Sequence, residues 1–363
     1  MKTKIKILTI VGTRPNFIKI SPLFKEFRNH KIINPILVHT GQHYDFEMSQ
    51  IFFQDLKIPK PNYNLGVGSD SHAWQTAKIM EKLEPVLLKE KPNLVIVVGD
   101  VNSTLAGALT AAKLHIPVAH IEAGLRSFDK KMPEEINRIL TDHISDFLFC
   151  PTKNAVENLT KEGIKKGIYE VGDIMYDTFL KNIQIAQKNS KVLKKLKLKP
   201  KNYFLLTLHR PQNVDNPENL KKILRAVRES REKIIFPVHP RTKNSLKQVS
   251  ELTMKQYNNV SFIGPLGYLE MLTLEKNSKK ILTDSGGIQK EAYWLKVPCI
   301  TLRKETEWKE TVKAGWNILV GYDKNKILWA IKHFSPKRRW PKYFGNGKAA
   351  KKILKILTKN FNG

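Results

Sequence analysis

Cysteine is scarce in this sequence, and long apolar runs are missing. The 363 residues include only two cysteines, Cys150 and Cys299, each in an apolar context. Two thiols cannot form a metal site on their own, and they do not have the pattern of a disulfide framework. No apolar run is long enough to span a bilayer, and the first, Ile5–Val11, is too short for a signal peptide. We therefore expect a cytoplasmic protein that is not inserted in a membrane.

Common motifs of cofactor and metal sites are also missing. No G-x-G-x-x-G follows an apolar run, so the sequence does not indicate a dinucleotide cofactor. The histidines lack the spacing of zinc sites, and the acidic residues do not form a calcium or magnesium loop. We expect an activity that needs no cofactor and no metal.

Acidic residues are few relative to basic ones. The sequence has 33 Asp and Glu against 63 Lys and Arg, a formal net charge of +30 at pH 7. Such a charge is compatible with binding nucleic acid, an anionic membrane surface or an anionic small molecule. It is also compatible with the Lys-rich surface of a high-temperature protein. Because the basic residues are spread along the chain and no nucleic-acid motif accompanies them, we predict no dedicated nucleic-acid binding.

The apolar residues that are present predict the fold class. Short runs rich in Ile, Val and Leu alternate with helix-length amphipathic segments along the whole chain. Continuous apolar runs are typical of parallel strands buried on both faces. We predict two doubly wound, Rossmann-like α/β domains facing a cleft. The predicted limits are 1–175 for the N-terminal domain, 200–345 for the C-terminal domain, and 346–363 for a helix that crosses back to the N-terminal domain.

Polar groups follow nearly every predicted strand. Ligands of doubly wound sheets bind beyond the carboxyl ends of the strands, so these positions are candidates for function. The groups are Gly12-Thr13-Arg14-Pro15, Thr40-Gly41-Gln42-His43, Gly99-Asp100, Glu122-Ala123-Gly124-Leu125-Arg126, His209-Arg210, His239-Pro240-Arg241, Asp284-Ser285-Gly286-Gly287 and Arg303. An ordinary α/β protein would not end nearly every strand this way, and we therefore predict that the cleft carries out chemistry.

The stretch 279–303 has the pattern of an anion-binding turn. A short apolar run leads through Ser285-Gly286-Gly287 into a helical pattern, where N–H groups and the helix dipole favour a phosphate. Glu291, one turn into the helix, is a candidate acceptor for sugar hydroxyls, and Arg303 is a candidate fixed charge. His209 is a candidate acid, base or phosphate donor, or else a structural histidine. The alternative for the turn is a plain strand-to-helix connection with a Ser cap.

Other candidate residues also have structural alternatives. Arg14 and Lys19 flank the start of the first predicted helix, either as phosphate ligands or as basic residues on a surface loop. Asp100 follows a buried strand as a catalytic acid or as a helix cap. Glu122 is harder to explain as a cap. Glu134 lies in the first turn of a helix, where it either interacts with the helix dipole or provides a third carboxylate.

Together these motifs resemble those of the non-hydrolysing UDP-N-acetylglucosamine 2-epimerases. The resemblance covers nearly the whole chain, and the combination of EAGLRS, PEEINR and TDSGGIQKEA is very specific. It implies a GT-B-like fold and reversible conversion of UDP-GlcNAc to UDP-ManNAc without a cofactor. It also implies that UDP leaves to give 2-acetamidoglucal and adds back after C2 is protonated on its other face. The segments are VGTRPNFIKISPL (11–23), TGQHYD (40–45), VVGDVNSTLAGALTAAKLHIPVAHIEAGLRS (97–127), MPEEINR (132–138), TLHRPQNV (207–214), PVHPR (237–241) and LTDSGGIQKEA (282–292).

The resemblance also implies roles for individual residues. Asp100, Glu122 and Glu134 would surround the sugar as acid–base groups, with Lys19 nearby, and which carboxylate removes the proton stays open. His209 is a candidate for both catalysis and binding. The groups that hold the diphosphate would be Arg14, His209, Ser285, Gly286 and Gly287. The groups for the rest of the substrate would be Glu291 at the ribose, Arg303 near the sugar, and the segment from Leu266 to Met271 at the uracil.

One departure from the family pattern concerns regulation. Bacterial members carry a second UDP-GlcNAc site that activates the enzyme. Gln42 and His43 match it, but Asp45 and the stretch Ser69–His72 do not supply the expected Gln and Arg. Whether UDP-GlcNAc activates this protein is left open.

Three alternative functions are also left open. A glycosyltransferase would consume a UDP-sugar only when an acceptor is present. A hydrolysing epimerase would release ManNAc and UDP. A polyanion binder would show steep salt dependence and no turnover. The resemblance further implies a homodimer.

Overall fold

Two α/β units make up the described part of the chain. The computed structural model describes residues 4–42, 58–248, 257–336 and 339–361. The described residues up to Leu180, together with those from Lys342 onward, form the N-terminal unit, and Lys181–Pro341 forms the C-terminal unit. The domain limits predicted from the sequence stay a prediction, because a compact unit is not necessarily a domain that folds alone.

The N-terminal unit is built on a parallel sheet. Its strands are β1 (Ile5–Val11), β2 (Ile33–His39), β3 (Tyr63–Asn64), β4 (Leu94–Val98), β5 (Val118–Ile121), β6 (Phe147–Cys150) and β7 (Ile168–Glu170). Among the described residues their order is β3-β2-β1-β4-β5-β6-β7, and all neighbours are parallel. The helices are α1 (Arg14–Arg28), α2 (His72–Glu90), α3 (Asn102–Lys113), α4 (Pro133–His143), α5 (Lys153–Lys161) and α6 (Ile174–Asn189), the last of which continues into the C-terminal unit.

The C-terminal unit repeats this plan. Its strands are β8 (Phe204–Thr207), β9 (Ile234–Pro237), β10 (Val260–Ile263), β11 (Ile281–Thr283), β12 (Cys299–Thr301) and β13 (Asn317–Leu319). In the described residues the order is β10-β9-β8-β11-β12-β13, again with parallel neighbours only. The helices are α7 (Val192–Lys195), α8 (Pro211–Val214), α9 (Pro217–Glu229), α10 (Pro240–Gln248), α11 (Tyr268–Asn277), α12 (Gly286–Trp294), α13 (Lys309–Lys313) and α14 (Lys324–His333).

Apolar composition explains why both sheets are parallel. All five residues of β4, LVIVV, and all four residues of β8, FLLT, are buried. A strand with no exposed face needs cover on both sides, which helices joining parallel strands provide. The strand order reverses between β1 and β4 and between β8 and β11, where doubly wound sheets bind their ligands. The predicted class of two doubly wound α/β units is confirmed.

The last helix, α15 (Ala349–Phe361), belongs to the N-terminal unit and packs against α1. Its buried residues have helical spacing and are Ala349, Ala350, Ile353, Leu354 and Leu357. Asp177 of α6 accepts hydrogen bonds from the N–H groups of Ala349 at 3.1 Å and Ala350 at 2.9 Å. This carboxylate caps the first turn of α15, whose N–H groups have no partners inside the helix.

No helix in the described part of the chain combines the length and the hydrophobicity that a transmembrane segment needs.

Candidate active site

The turn after β1 is fixed by a buried asparagine. Oδ1 of Asn16 accepts hydrogen bonds from the N–H groups of Gly12 and Thr13, both at 3.1 Å. Its Nδ2 donates to the carbonyl of Val98, the last residue of β4, at 3.0 Å. The start of α1 is therefore tied to the carboxyl ends of two neighbouring strands. Arg14 is the first residue of α1, but its side chain lies outside the described part of the structure.

Lys19 and Glu122 form a buried ion pair at this edge of the sheet. Nζ of Lys19 contacts Oε2 of Glu122, and both residues are less than a tenth exposed. A Cβ atom at Gly99 would lie 2.8 Å from that Nζ and 3.7 Å from that Oε2, so glycine leaves room for the pair. Glu122 itself has a φ of 73°, a left-handed conformation that costs of order 1–3 kcal/mol in a residue other than glycine. Strain of this kind is found often, though not exclusively, at functional sites.

Asp100 is oriented by a buried arginine. Nε and Nη2 of Arg138 lie 3.1 and 3.0 Å from Oδ2 of Asp100, whose side chain keeps 31% of its surface exposed. Asn137 donates to the Asp100 carbonyl at 2.9 Å. The carboxylate is thus held in place from one side and open on the other.

The adjacent acids Glu134 and Glu135 have different surroundings. Glu135 is buried, and it accepts hydrogen bonds from the N–H groups of Ser127 at 2.9 Å and Phe128 at 2.8 Å, and from Arg138. Glu134 is half-buried on the same helical turn. Glu135 therefore anchors the loop before α4, and Glu134 stays the predicted acid–base candidate.

A buried network supports the Glu122 turn from behind. Asp142 of α4 accepts hydrogen bonds from His120 at 2.7 Å, Arg126 at 2.7 Å and the N–H of Gly124 at 3.0 Å. The other ring nitrogen of His120 lies 2.8 Å from the carbonyl of Gly99. Burial alone would raise the pKa of Asp142, but charge and hydrogen bonds from His120 and Arg126 hold that pKa below its usual range. Sequence reasoning missed this network, because its members are far apart in the chain.

Part of the region matching a second nucleotide-sugar site is also described. Oε1 of Gln42 accepts hydrogen bonds from the N–H of Ser103 at 3.1 Å and from its hydroxyl at 2.6 Å. The hydroxyl of Ser69 donates to the Gln42 carbonyl at 3.2 Å. His43 and Asp45 lie outside the described residues.

In the C-terminal unit, a buried aspartate organises the ends of β8 and β11. Asp284 accepts hydrogen bonds from the N–H groups of His209 at 3.1 Å and Arg210 at 3.0 Å, and from Nδ2 of Asn213 at 3.1 Å. Nδ1 of His209 lies 3.2 Å from Oδ1 of Asp284, while 37% of the histidine side chain is exposed. The other ring nitrogen, Nε2, is therefore the one available to a ligand.

The charge of Asp284 is maintained by the same contacts. Burial alone would raise the pKa of Asp284, but His209, the N–H of Arg210 and Asn213 hold it below the usual range. A buried carboxylate that stays charged fixes the backbone of His209 and Arg210 at the strand end.

The turn after β11 begins α12 without a side-chain cap. Ser285 occupies the N-cap position in extended conformation, and its side chain does not cap the helix. Ser285, Gly286 and Gly287 are partly exposed. The first N–H groups of α12 can thus bind an anion from solvent.

The remaining predicted ligands are held by their own partners. Nη1 and Nη2 of Arg303 contact the carboxylate of Glu307 at 3.0 and 2.9 Å, and Glu307 was missed from the sequence. Glu291 is buried and accepts a hydrogen bond from the hydroxyl of Tyr268 at 2.8 Å. The segment from Leu266 to Met271 forms the loop and first turn of α11 and is partly exposed.

The described residues contain no cluster of three or more His, Cys, Asp or Glu that could hold a metal ion. The predicted site residues with described side chains fall into two sets, one in each unit. Lys19, Asp100, Glu122 and Glu134 belong to the N-terminal unit, and the other set is His209, Leu266, Met271, Ser285, Gly286, Gly287, Glu291 and Arg303 in the C-terminal unit. Their assignment to a substrate stays a prediction.

Comparison with known proteins identifies the family. A family model described as UDP-N-acetylglucosamine 2-epimerase matches residues 25–358. A Methanococcus maripaludis protein named UDP-N-acetylglucosamine 2-epimerase homolog is 58% identical over 355 residues, 97% of this chain and 99% of that protein. A Pseudomonas aeruginosa protein named UDP-2,3-diacetamido-2,3-dideoxy-D-glucuronate 2-epimerase is 44% identical over 362 residues, 98% of this chain and 99% of that protein.

A solved structure has the same fold over its whole length. The crystal structure of Methanocaldococcus jannaschii UDP-GlcNAc 2-epimerase in complex with UDP-GlcNAc and UDP is 50% identical to this chain, with a TM-score of 0.92. The match covers 98% of this chain and 100% of that one. The GT-B-like fold and the resemblance inferred from the motifs are both confirmed, and the chain belongs to the UDP-N-acetylglucosamine 2-epimerase family.

Proposed function

We propose that this protein catalyses the reversible C2 epimerisation of UDP-GlcNAc to UDP-ManNAc without net hydrolysis. The observation that carries the proposal is the buried Lys19–Glu122 pair, which holds a strained acid at the carboxyl edge of the N-terminal sheet near Asp100. Membership of the family and the substrate named for the M. jannaschii relative support the same reaction.

The proposed chemistry is elimination followed by re-addition. The C2 proton is not acidic, since no carbonyl group is attached to that carbon. A base removes the proton, the C2–H electron pair forms the C1–C2 double bond, and the C1–O bond breaks so that UDP leaves with its electrons. Protonation of 2-acetamidoglucal on the opposite face of C2 and attack of UDP on C1 then give the epimer. The route needs acid–base groups around C2 and positive groups around the diphosphate.

We assign the acid–base work to the N-terminal unit. Asp100, Glu122 and Glu134 provide the carboxylates, and Lys19 keeps a positive charge beside Glu122. The contact of Arg138 with Asp100 and the network around Asp142 fix two of these groups in position. Fixed geometry lowers the entropic cost of reaching the transition state.

We assign UDP binding to the C-terminal unit. The first N–H groups of α12 and Nε2 of His209 hold the diphosphate, together with Arg14 of the N-terminal chain segment. Glu291 binds the ribose hydroxyls, and the backbone between Leu266 and Met271 binds the uracil. Arg303, fixed by Glu307, supplies a positive charge near the sugar.

The test is incubation of the purified protein with UDP-GlcNAc alone, followed by separation of the products. We expect UDP-ManNAc at equilibrium with UDP-GlcNAc and no accumulation of ManNAc. Stoichiometric ManNAc and UDP would identify a hydrolysing epimerase, and turnover only with an added acceptor would identify a glycosyltransferase. A parallel reaction with UDP-2,3-diacetamido-2,3-dideoxy-D-glucuronate, the sugar in the name of the P. aeruginosa relative, compares the two substrates.

We further propose that the protein is a homodimer. Ile136 and Leu140 are both 47% exposed and lie one turn apart on α4, so they form one apolar surface strip. Light scattering should give a dimer for the wild type and a monomer for the double variant Ile136→Lys, Leu140→Lys. A monomeric wild type at micromolar concentration would reject the proposal.

A further inference from the structure

The two ring nitrogens of His120 both face oxygen atoms. Nδ1 lies 2.7 Å from Oδ1 of Asp142, and Nε2 lies 2.8 Å from the carbonyl oxygen of Gly99. A carbonyl oxygen only accepts hydrogen bonds, so the contact with Gly99 requires a hydrogen on Nε2. The contact with Asp142 then requires a second proton, which is carried either by Nδ1 or by the carboxyl group.

The other contacts of Asp142 decide where the second proton lies. Its Oδ2 accepts hydrogen bonds from the N–H of Gly124 at 3.0 Å and from Nη1 of Arg126 at 2.7 Å. Hydrogen bonds and a positive charge directed at a carboxylate favour its ionised form. The second proton therefore belongs to Nδ1, and the ring of His120 is an imidazolium with a hydrogen on each nitrogen.

The charges of this network balance only if His120 is positive. Nε and Nη2 of Arg126 each lie 2.7 Å from an oxygen of Glu162, so one guanidinium serves two carboxylates, those of Glu162 and Asp142. Burial, followed by the charge of Asp142, raises the pKa of the neighbouring Cys150 thiol, which stays neutral. A neutral His120 would leave an uncompensated negative charge in a mostly buried network, which is costly, whereas an imidazolium gives two charges of each sign.

His120 links the ends of two strands that carry candidate acid–base groups. Gly99, whose carbonyl it contacts, directly precedes Asp100 and has a φ of 72°. On the side of its missing Cβ, Gly99 borders the Lys19–Glu122 pair, whose own charges cancel. His120 itself lies in β5, two residues before Glu122. One ring therefore connects the turn after β4 to the strand that ends at Glu122.

We propose that His120 is doubly protonated in the folded protein and is a positioning residue, whose Nε2–H holds the carbonyl of Gly99 and so keeps the following Asp100 in place for proton transfer. Because the ring is fully buried, it acts through the backbone and not by contact with the substrate. The positioning role rests on the proposed function, which takes Asp100 as an acid–base group.

The first test counts the hydrogens on the ring. In protein labelled with ¹⁵N in its histidine rings, we expect two slowly exchanging N–H signals from His120 at about pH 8, where an unperturbed histidine is neutral. The signals are assigned by their loss in His120→Gln. Neutron diffraction from a wild-type crystal at the same pH counts the same hydrogens without any variant. A single hydrogen on the ring would overturn the inference.

The variant Asp142→Asn tests why the ring is charged. The oxygen of the new amide can accept from Gly124 and Arg126, and its NH₂ group can donate to Nδ1 of His120. The ring then needs a hydrogen only on Nε2, and the network stays neutral as a whole. We expect one ring N–H from His120 in this variant. Two ring N–H signals in Asp142→Asn would show that the carboxylate does not set the protonation of the ring and would contradict the account.

The second test measures the positioning role. A glutamine side chain cannot donate to Gly99 and Asp142 at opposite ends as the ring does, so His120→Gln should lower kcat by about tenfold or more. Asp142→Asn should lower kcat less, because the bond to Gly99 remains. Calorimetry should give a Kd for UDP within about threefold of wild type and an unchanged number of binding sites in both variants, whereas partial unfolding would lower that number.

His30→Gln is the matched control, since His30 is exposed in the same unit and contacts the carbonyl of Glu26. Its kcat should stay within about threefold of wild type. Full activity in His120→Gln, or an equal loss in His30→Gln, would overturn the positioning role. A wild type with two hydrogens on the ring but no epimerase activity would reject the proposed function, and with it the positioning role, while confirming the protonation state.

Discussion

Glu122 combines a strained backbone conformation with a side chain that is fixed by an ion pair. Its backbone is in a left-handed conformation, and its carboxylate is buried against Lys19. A buried ion pair stabilises a protein little compared with an apolar pair of the same size. The strain and the burial of charge at this position are therefore better explained by function than by stability.

We predict that Glu122→Gln abolishes turnover, with a loss of at least about 100-fold, since general acid–base catalysis is worth 10²- to 10⁴-fold. UDP affinity should stay within about tenfold, or 1.4 kcal/mol, because the proposed diphosphate ligands are elsewhere. Steady-state kinetics and calorimetry measure the two quantities. Full activity in this variant would remove Glu122 from the mechanism.

We predict opposite effects for the neighbouring acids of α4. Glu135→Gln removes the charge that faces buried Arg138, so it should destabilise the protein by about 3 kcal/mol or more. Glu134→Gln should lower kcat by about 100-fold and, because this side chain is only half-buried, should lower the melting temperature less than Glu135→Gln does. Thermal denaturation and steady-state kinetics, measured on the same preparations, distinguish a loss of stability from a loss of catalysis. A stable but inactive Glu135→Gln protein would show that Glu135, and not Glu134, is the acid–base residue.

At the residue scale, the sequence indicated the candidate site residues but not the residues that form hydrogen bonds and ion pairs with them. Position after a strand selected Asp100, Glu122 and His209, because the carboxyl ends of parallel strands share one edge. It did not select Glu307, Asp142 or Arg138, since these lie on helices and loops and approach the strand ends only in the folded chain. Helical periodicity also does not show which of Glu134 and Glu135 is buried and which is partly exposed, because the two residues are adjacent in the same turn.

At the scale of elements, the start of α15 depends on one carboxylate from another helix. Burial raises the pKa of Asp177 to about 6, and nearby Asp173 and Glu26 add to the shift, against the N–H groups of Ala349 and Ala350. Because the folded-state pKa lies above the unfolded value, this group's contribution to stability is full below about pH 4. It is lost as pH rises through about 6.

We predict that Asp177→Asn changes the pH dependence of stability. Between pH 4 and pH 7, the free energy of unfolding of the variant should rise relative to that of the wild type by up to about 3 kcal/mol. Solvent screening of the Asp177 charge makes the measured rise smaller than this value. Melting temperatures of both proteins at several pH values measure the difference. A constant difference across this range would show that Asp177 does not titrate there.

Two short strands at the edges of the N-terminal sheet have little signal in the sequence. β3 has two residues and β7 has three, and neither contains a continuous apolar run. An edge strand has one neighbour and less burial, so its sequence carries a weaker signal. A central strand such as β4 has a clear signal, because full burial demands apolar side chains throughout.

At the scale of the whole molecule, the net charge of +30 did not indicate the function. The two doubly wound sheets and the family comparisons account for the strand-end motifs without a polymeric anion. The proposed substrate carries a diphosphate, so a basic protein attracts it at low ionic strength. The division of acid–base groups and nucleotide ligands between the two units stays a proposal.

The central claim is that C2 loses its proton to the protein and regains one from solvent on the other face. The most direct measurement is the reaction of UDP-GlcNAc in D₂O, with the product analysed by proton NMR and mass spectrometry. We expect UDP-ManNAc with deuterium at C2, because the removed proton exchanges with solvent before the second face is protonated. UDP-ManNAc that retains the original hydrogen at C2 would contradict the account.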